Sequence, residues 1–108
     1  MGMVVSRFEV YLVNLEPTKG CEIRKTRPCL IISPDEMNHA LETVIIAPMT
    51  TRCREWPTRI NLIFETKSGQ IVLDQIRAID KFRLVKKLGK IDEFNSRKVL
   101  HCLQEIFS

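Results

Sequence analysis

Apolar and polar residues alternate with a period of two along much of this chain, the pattern of β-strands. Phe8 to Leu15 places Phe8, Val10 and Leu12 on one face and Glu9 and Tyr11 on the other. Pro28 to Ser33 is a short, β-branched run that fits a central strand. Ser33-Pro34-Asp35-Glu36 predicts a brief helix, with Ser33 as N-cap, Pro34 at the first helical position and acids in the first turn. Thr43 to Met49 returns to strand, Arg59 to Phe64 alternates cleanly, and Gly69 introduces a strand through Leu73. Two further strands are expected at Ile76–Asp80 and Val85–Lys90. At the end of the chain the period lengthens to that of a helix. Asp92 is its N-cap, and Val99, Leu100, Leu103, Ile106 and Phe107 share one face, with His101, Gln104 and Glu105 opposite. Several short strands, an inserted helix and a terminal helix predict a mainly β fold with α, a small, strongly bent sheet or partial barrel.

At 108 residues, 44% hydrophobic and 28% charged, the chain suits one globular domain spanning 1–108, small enough to gain from dimerisation. It shows no apolar run of membrane-spanning length and no signal-like apolar segment at its start, which predicts a cytoplasmic protein.

The net charge of +4 is modest, but it is unevenly placed. Residues 19–27 carry Lys19, Arg24, Lys25 and Arg27 against Glu22, and residues 52–59 carry Arg52, Arg54 and Arg59 against Glu55. These segments contribute +3 and +2, leaving about −1 for every other position. Two cationic connections on a near-neutral scaffold mark either a localised polyanion site or a pair of solvated loops. The first is long for a simple link between strands and ends on Arg27, which Pro28 forces toward an extended backbone.

The catalytic repertoire is narrow. Cys21, Cys29, Cys53 and Cys102 form no CxxC pair and no ligand spacing with His39 or His101, so neither zinc nor a disulfide framework is expected. Cys29 and Cys102 read as core residues, whereas Cys21 and Cys53, in the basic segments, are candidate redox-sensitive thiols. No nucleophile elbow, HExxH, phosphate-binding loop or dinucleotide fingerprint is present, and no cofactor is implied. What remains is phosphate chemistry of the kind RNA permits, because its own 2′-OH attacks the adjacent phosphate. An arginine fork and a nearby hydroxyl suit the charge that then develops on the phosphoryl oxygens.

Five fragments in order carry a family resemblance. They are Leu15-Glu16-Pro17-Thr18-Lys19-Gly20-Cys21-Glu22, then Lys25-Thr26-Arg27-Pro28, and Ser33-Pro34-Asp35 with Asn38. Ala47-Pro48-Met49-Thr50-Thr51 follows, and then Asp74-Gln75-Ile76-Arg77 with Ile79-Asp80-Lys81 and Arg83-Leu84. Together they span roughly residues 7 to 107, and the chain resembles the MazF/PemK-type toxins. The resemblance implies an SH3-like barrel of the CcdB/MazF type. It also implies a homodimeric, metal-independent endoribonuclease that cuts single-stranded RNA, typically messenger RNA, at short sequences and is neutralised by a cognate acidic antitoxin. Cleavage in such a family leaves a 2′,3′-cyclic phosphate and a 5′-hydroxyl.

By motif, the resemblance makes Arg27 and Thr50 the catalytic pair, Arg27 stabilising the phosphorane-like transition state and Thr50 bonding a non-bridging oxygen. A guanidinium does not give up its proton at neutral pH, so the electrostatic role of Arg27 ranks above any proton relay. Lys19, Arg24, Lys25, Arg52 and Arg54 are expected to track the RNA backbone, with Thr51 beside them. Glu22 either orders its loop or reads a base edge. Gln75 either contacts RNA or satisfies buried backbone. Trp56 either stacks a base or fills the dimer interface or core, the packing role being preferred. An ion pair, within the chain or across the dimer, is expected for Arg77 and Asp80. Phe8 stands where such families commonly have Gly, and Cys21 where Ser is frequent. Two rival readings share the fold: a gyrase poison and a plain RNA-binding module, neither of which needs Arg27 and Thr50 together.

Overall fold

A computed structural model describes residues 4–15 and 26–108. Its strands are β1 (Glu9–Asn14), β2 (Thr26–Ile31), β3 (Thr43–Thr50), β4 (Arg59–Phe64), β5 (Lys67–Val72), β6 (Arg77–Asp80) and β7 (Leu84–Lys90). A short helix, α1 (Asp35–Ala40), joins β2 to β3, and α2 (Glu93–Ile106) follows β7. The antiparallel order is β4-β5-β3-β2-β1-β7, with β6 also on β3. β3 organises the sheet. Its first half pairs with β6 from Thr43 to Ile46, and Met49 and Thr50 pair with β5. A 3₁₀ turn, Leu73–Gln75, bends the chain between those two partners.

The sheet packs on both faces. One core holds Val10, Leu30, Ala47, Met49, Leu62 and Ile71 beneath Val99 and Cys102 of α2. The other holds Tyr11, Val13, Cys29, Ile31, Val44, Ile46, Ile79 and Leu84. β1 therefore buries both of its faces, not the single face its alternation suggests. Glu9 is buried too, its carboxylate accepting the Ser6 amide at 2.8 Å and pairing with Lys87 Nζ at 2.6 Å. That pairing satisfies a charge that would otherwise be costly to bury.

Local rules explain most ends and two surprises. Asp92 caps α2 as expected, Oδ1 accepting the Asn95 amide at 2.8 Å. Ser33 does not cap α1. Pro34 occupies the N-cap, while the Ser33 hydroxyl is engaged by Asn38 and by the Ile45 amide, tying α1 to β3. The buried stripe of α2 is Ser96, Val99 and Cys102, with Ile106 and Phe107 exposed. Phe8 adopts φ +72°, a conformation that L side chains avoid. Its amide donates to Ile31 O at 2.7 Å and its carbonyl accepts from Ile91 at 3.1 Å, so the surrounding backbone holds it there.

Candidate active site

The strand pairings decide which side chains meet. In the β2–β3 ladder Cys29 faces Pro48, Leu30 faces Ala47 and Ile31 faces Ile46. Extended two residues past its last pair, Cys29 with Pro48, the same antiparallel offset sets Arg27 opposite Thr50. Because side chains alternate along a strand, Arg27 shares the face of Cys29 and Ile31, and Thr50 shares that of Pro48 and Ile46. Both residues line a cavity of about 260 Å³, near the small end of ligand clefts. Its apolar floor includes Met49, Leu62, Phe64 and Leu88, and its polar rim adds Thr51, Glu65, Lys67 and Gln70.

Thr50 ends β3, and its Oγ1 accepts the Arg52 amide at 3.1 Å. This is a turn-capping bond, and it leaves the hydroxyl proton free to be donated elsewhere. Arg27 is half-buried and charged. Its field is felt at Cys29: burial pushes that thiol up to about 12, and Arg27 and Arg77 draw it only part of the way back. Cys29 is thus a protonated core residue at neutral pH.

The β4–β5 hairpin supplies the other wall. Gly69 lies so close to β3 that a Cβ there would sit 2.7 Å from the Thr50 carbonyl oxygen. Next to it, Gln70 pairs with Thr50 across the ladder and is 3% exposed. Its amide oxygen accepts Arg54 N–H at 2.9 Å, and its nitrogen donates to Arg54 O at 2.8 Å and Asn61 Oδ1 at 2.7 Å. The connection from Thr51 to Trp56 is thereby pinned to the cavity wall. Sequence reasoning missed Gln70. A Gln immediately before the apolar run Ile71-Val72-Leu73 was the available signal, since a buried amide must find partners.

Thr51, Arg52 and Arg54 lie in that exposed connection, Thr51 on the cavity rim. Gln75 sits in the 3₁₀ turn and is not among the residues lining this cavity. Lys19, Cys21, Glu22, Arg24 and Lys25 lie outside the described residues. Trp56 is 49% exposed and fills no core. Ion pairs among the described residues join Arg59 to Asp74, Lys87 to Glu9 and Arg97 to Glu93, so Arg77 and Asp80 are not joined within this chain. They stand three apart on β6 and point to opposite faces. Partial burial alone would raise the Asp74 carboxyl. Donors from Arg59, Thr58 and its own backbone outweigh that and hold it below its usual value.

Residues 6–107 match the PemK-like, MazF-like toxins of type II toxin–antitoxin systems. The chain belongs to this family. The endoribonuclease EndoA of Bacillus subtilis (strain 168) is 37% identical over 109 aligned positions, covering 94% of this chain and 93% of that protein. In fold, the toxin is similar to MazF from Deinococcus radiodurans, with a TM-score of 0.85 at 23% identity over 98% of each chain. It is also similar to a mycobacterial endoribonuclease solved in complex with its cognate antitoxin, with a TM-score of 0.82 at 23% identity, covering 95% of this chain and 94% of that one. The toxin thus has the MazF fold: a mainly β, curled sheet with its terminal helix. Among the described residues, no helix is long and apolar enough to cross a membrane.

Proposed function

We propose that this toxin is a sequence-selective endoribonuclease that cleaves single-stranded RNA, messenger RNA foremost, without a metal ion. The observation that carries the reading is that Arg27 and Thr50, far apart in sequence, line one cavity. The relation to EndoA supports the activity class.

The ribose 2′-oxygen attacks the adjacent phosphorus, its proton passing to solvent or a base. The P–O5′ bond breaks, leaving a 2′,3′-cyclic phosphate and a 5′-oxygen that takes up a proton. Negative charge grows on the non-bridging oxygens during this exchange. The Arg27 guanidinium offers fixed positive charge there, and the Thr50 hydroxyl, already oriented by the Arg52 amide, donates to one of those oxygens. The apolar lining lowers the local dielectric, which strengthens both interactions. Arg52 and Arg54 follow the backbone of the substrate, with Lys19, Arg24, Lys25 and Glu22 acting from the preceding loop.

Two chains pair as a homodimer in this reading, and an acidic antitoxin segment occupies the same cationic groove. The test is incubation of long single-stranded RNA with the wild type, Arg27→Ala and Thr50→Ala in excess EDTA. Discrete fragments ending in cyclic phosphate from the wild type alone are expected. RNA binding with no fragments would instead identify a plain binder, and gyrase inhibition a poison. An antitoxin that binds together with RNA, without competing, would refute the shared groove.

A further inference from the structure

Trp56 is the chain's one tryptophan, and it stands at the end of the connection that Gln70 pins to the cavity wall. Half of it is open to solvent, which is unusual for so large an apolar ring. Its orientation is nevertheless held by its neighbours. The Arg59 guanidinium lies 4.6 Å from the ring centroid, and the Arg59 side chain is only 7% exposed. Arg59 is held in turn by Asp74, through Nε to Oδ1 at 2.8 Å and an outer guanidinium nitrogen to Oδ2 at 3.2 Å. The Trp56 carbonyl accepts the Arg59 amide at 3.1 Å, closing the turn into β4. Arg54 sits 5.7 Å from the same ring, its backbone clamped by Gln70.

We propose that Trp56 is a preorganised stacking platform for an unpaired nucleobase of the single-stranded RNA that threads past Arg27 and Thr50. Every base has a π-face, so stacking on a rigid indole adds affinity whatever the sequence. Fixing the ring in advance removes the ordering cost that a loose loop would add on binding. Arg52 and Arg54 stand in the same exposed connection as the ring, a charge complement for the phosphates on either side of a stacked base.

The proposal rests on the RNA reading, and a single tryptophan lets the two be tested apart. Intrinsic fluorescence of the wild-type protein is titrated with a 2′-O-methyl oligonucleotide of mixed sequence, which binds without being cut. The control is an abasic strand of equal length and charge. Base-dependent quenching is expected, with little from the abasic strand. With a dye-labelled oligonucleotide, Trp56→Ala should weaken binding about tenfold while leaving its salt dependence unchanged, since phosphate contacts persist. Trp56→Phe should recover part of the loss.

Equal quenching by the abasic strand, or no quenching by either, overturns the platform. So does unchanged affinity of Trp56→Ala, or its conversion of a dimer to a monomer in sedimentation, which would assign the ring to subunit contact. RNA cleavage by a wild type that shows no base-dependent quenching removes the platform alone. Base-dependent quenching without cleavage supports it and removes only the nuclease reading.

Discussion

Arg27 and Thr50 line the cavity from β2 and β3 with a guanidinium and a hydroxyl, whereas the β4–β5 hairpin contributes largely shape. Gly69 contributes the absence of a side chain, Gln70 spends its amide on other parts of the protein, and Glu65 and Thr66 form a tight turn. Both central residues of that turn have positive φ, 50° and 67°, a geometry normally given to Asn and Gly. One wall thus presents a guanidinium and a hydroxyl. The other holds the end of β3 and its following loop in place.

Breaking the first wall should have the largest effect. Thr50→Ala or Arg27→Ala is expected to lower the cleavage rate by about 10²–10³-fold with an unchanged circular-dichroism spectrum, the range for removing one oxyanion donor. Thr50→Ser should restore most of the rate, because it keeps the hydroxyl. The equivalent stroke against the hairpin is Gly69→Ala. Its new methyl must displace the Thr50 carbonyl or open the β3–β5 pair, and overpacking of that kind costs about 1–3 kcal/mol. Denaturant midpoints and cleavage rates should fall together; a loss of stability at constant rate would show that the hairpin does not govern Thr50.

Gln70→Leu should cost about 1–3 kcal/mol, since it strands the Arg54 amide and carbonyl and the Asn61 side chain. Limited proteolysis between Thr51 and Trp56 should accelerate in that variant. The opposite sign is expected for the double substitution Glu65→Asn with Thr66→Gly. Relieving two left-handed non-glycine residues should stabilise the fold by about 1–2 kcal/mol, read as a higher Tm with cleavage retained. Loss of cleavage there would mean that Glu65, on the rim, takes part in the chemistry.

The smallest effect concerns the foot of the hairpin, where Asp74 binds Arg59. Its folded pKa lies below the ordinary 3.8, so its stabilisation is full above that value and is lost as pH falls through the depressed one. Asp74→Asn should flatten the acid limb of stability against pH, and an unchanged limb would assign acid sensitivity elsewhere.

These two walls also differ in how plainly the sequence announces them. Arg27 before Pro28 stands out in the sequence as a cation leading into a strand, whereas Thr50 was marked only by the family resemblance, through its place after Pro48-Met49. The hairpin lacks the Asn-Gly signal of a two-residue turn, so β5 was expected to begin at Gly69 when it begins at Lys67. Gln70 looks like any polar strand residue until its partners from a separate segment are seen. The same limit explains Ser33, whose N-cap pattern lost to Asn38 and Ile45, contacts made only once α1 folds against β3. Phe8 is the converse. Its departure from an expected Gly was visible in the sequence, and the positive φ gives that Gly its reason.

The three cysteines of the described residues offer a practical handle. Cys29 and Cys102 are enclosed and their thiols are shifted toward protonation, whereas Cys53 stands in the open beside Arg52 and Arg54. With Cys21 replaced by Ser, a maleimide dye would attach at Cys53 in preference to either enclosed sulfur. A fluorophore would then ride on the strap next to Thr50, where it would report directly whether RNA or an acidic peptide arrives at the cavity.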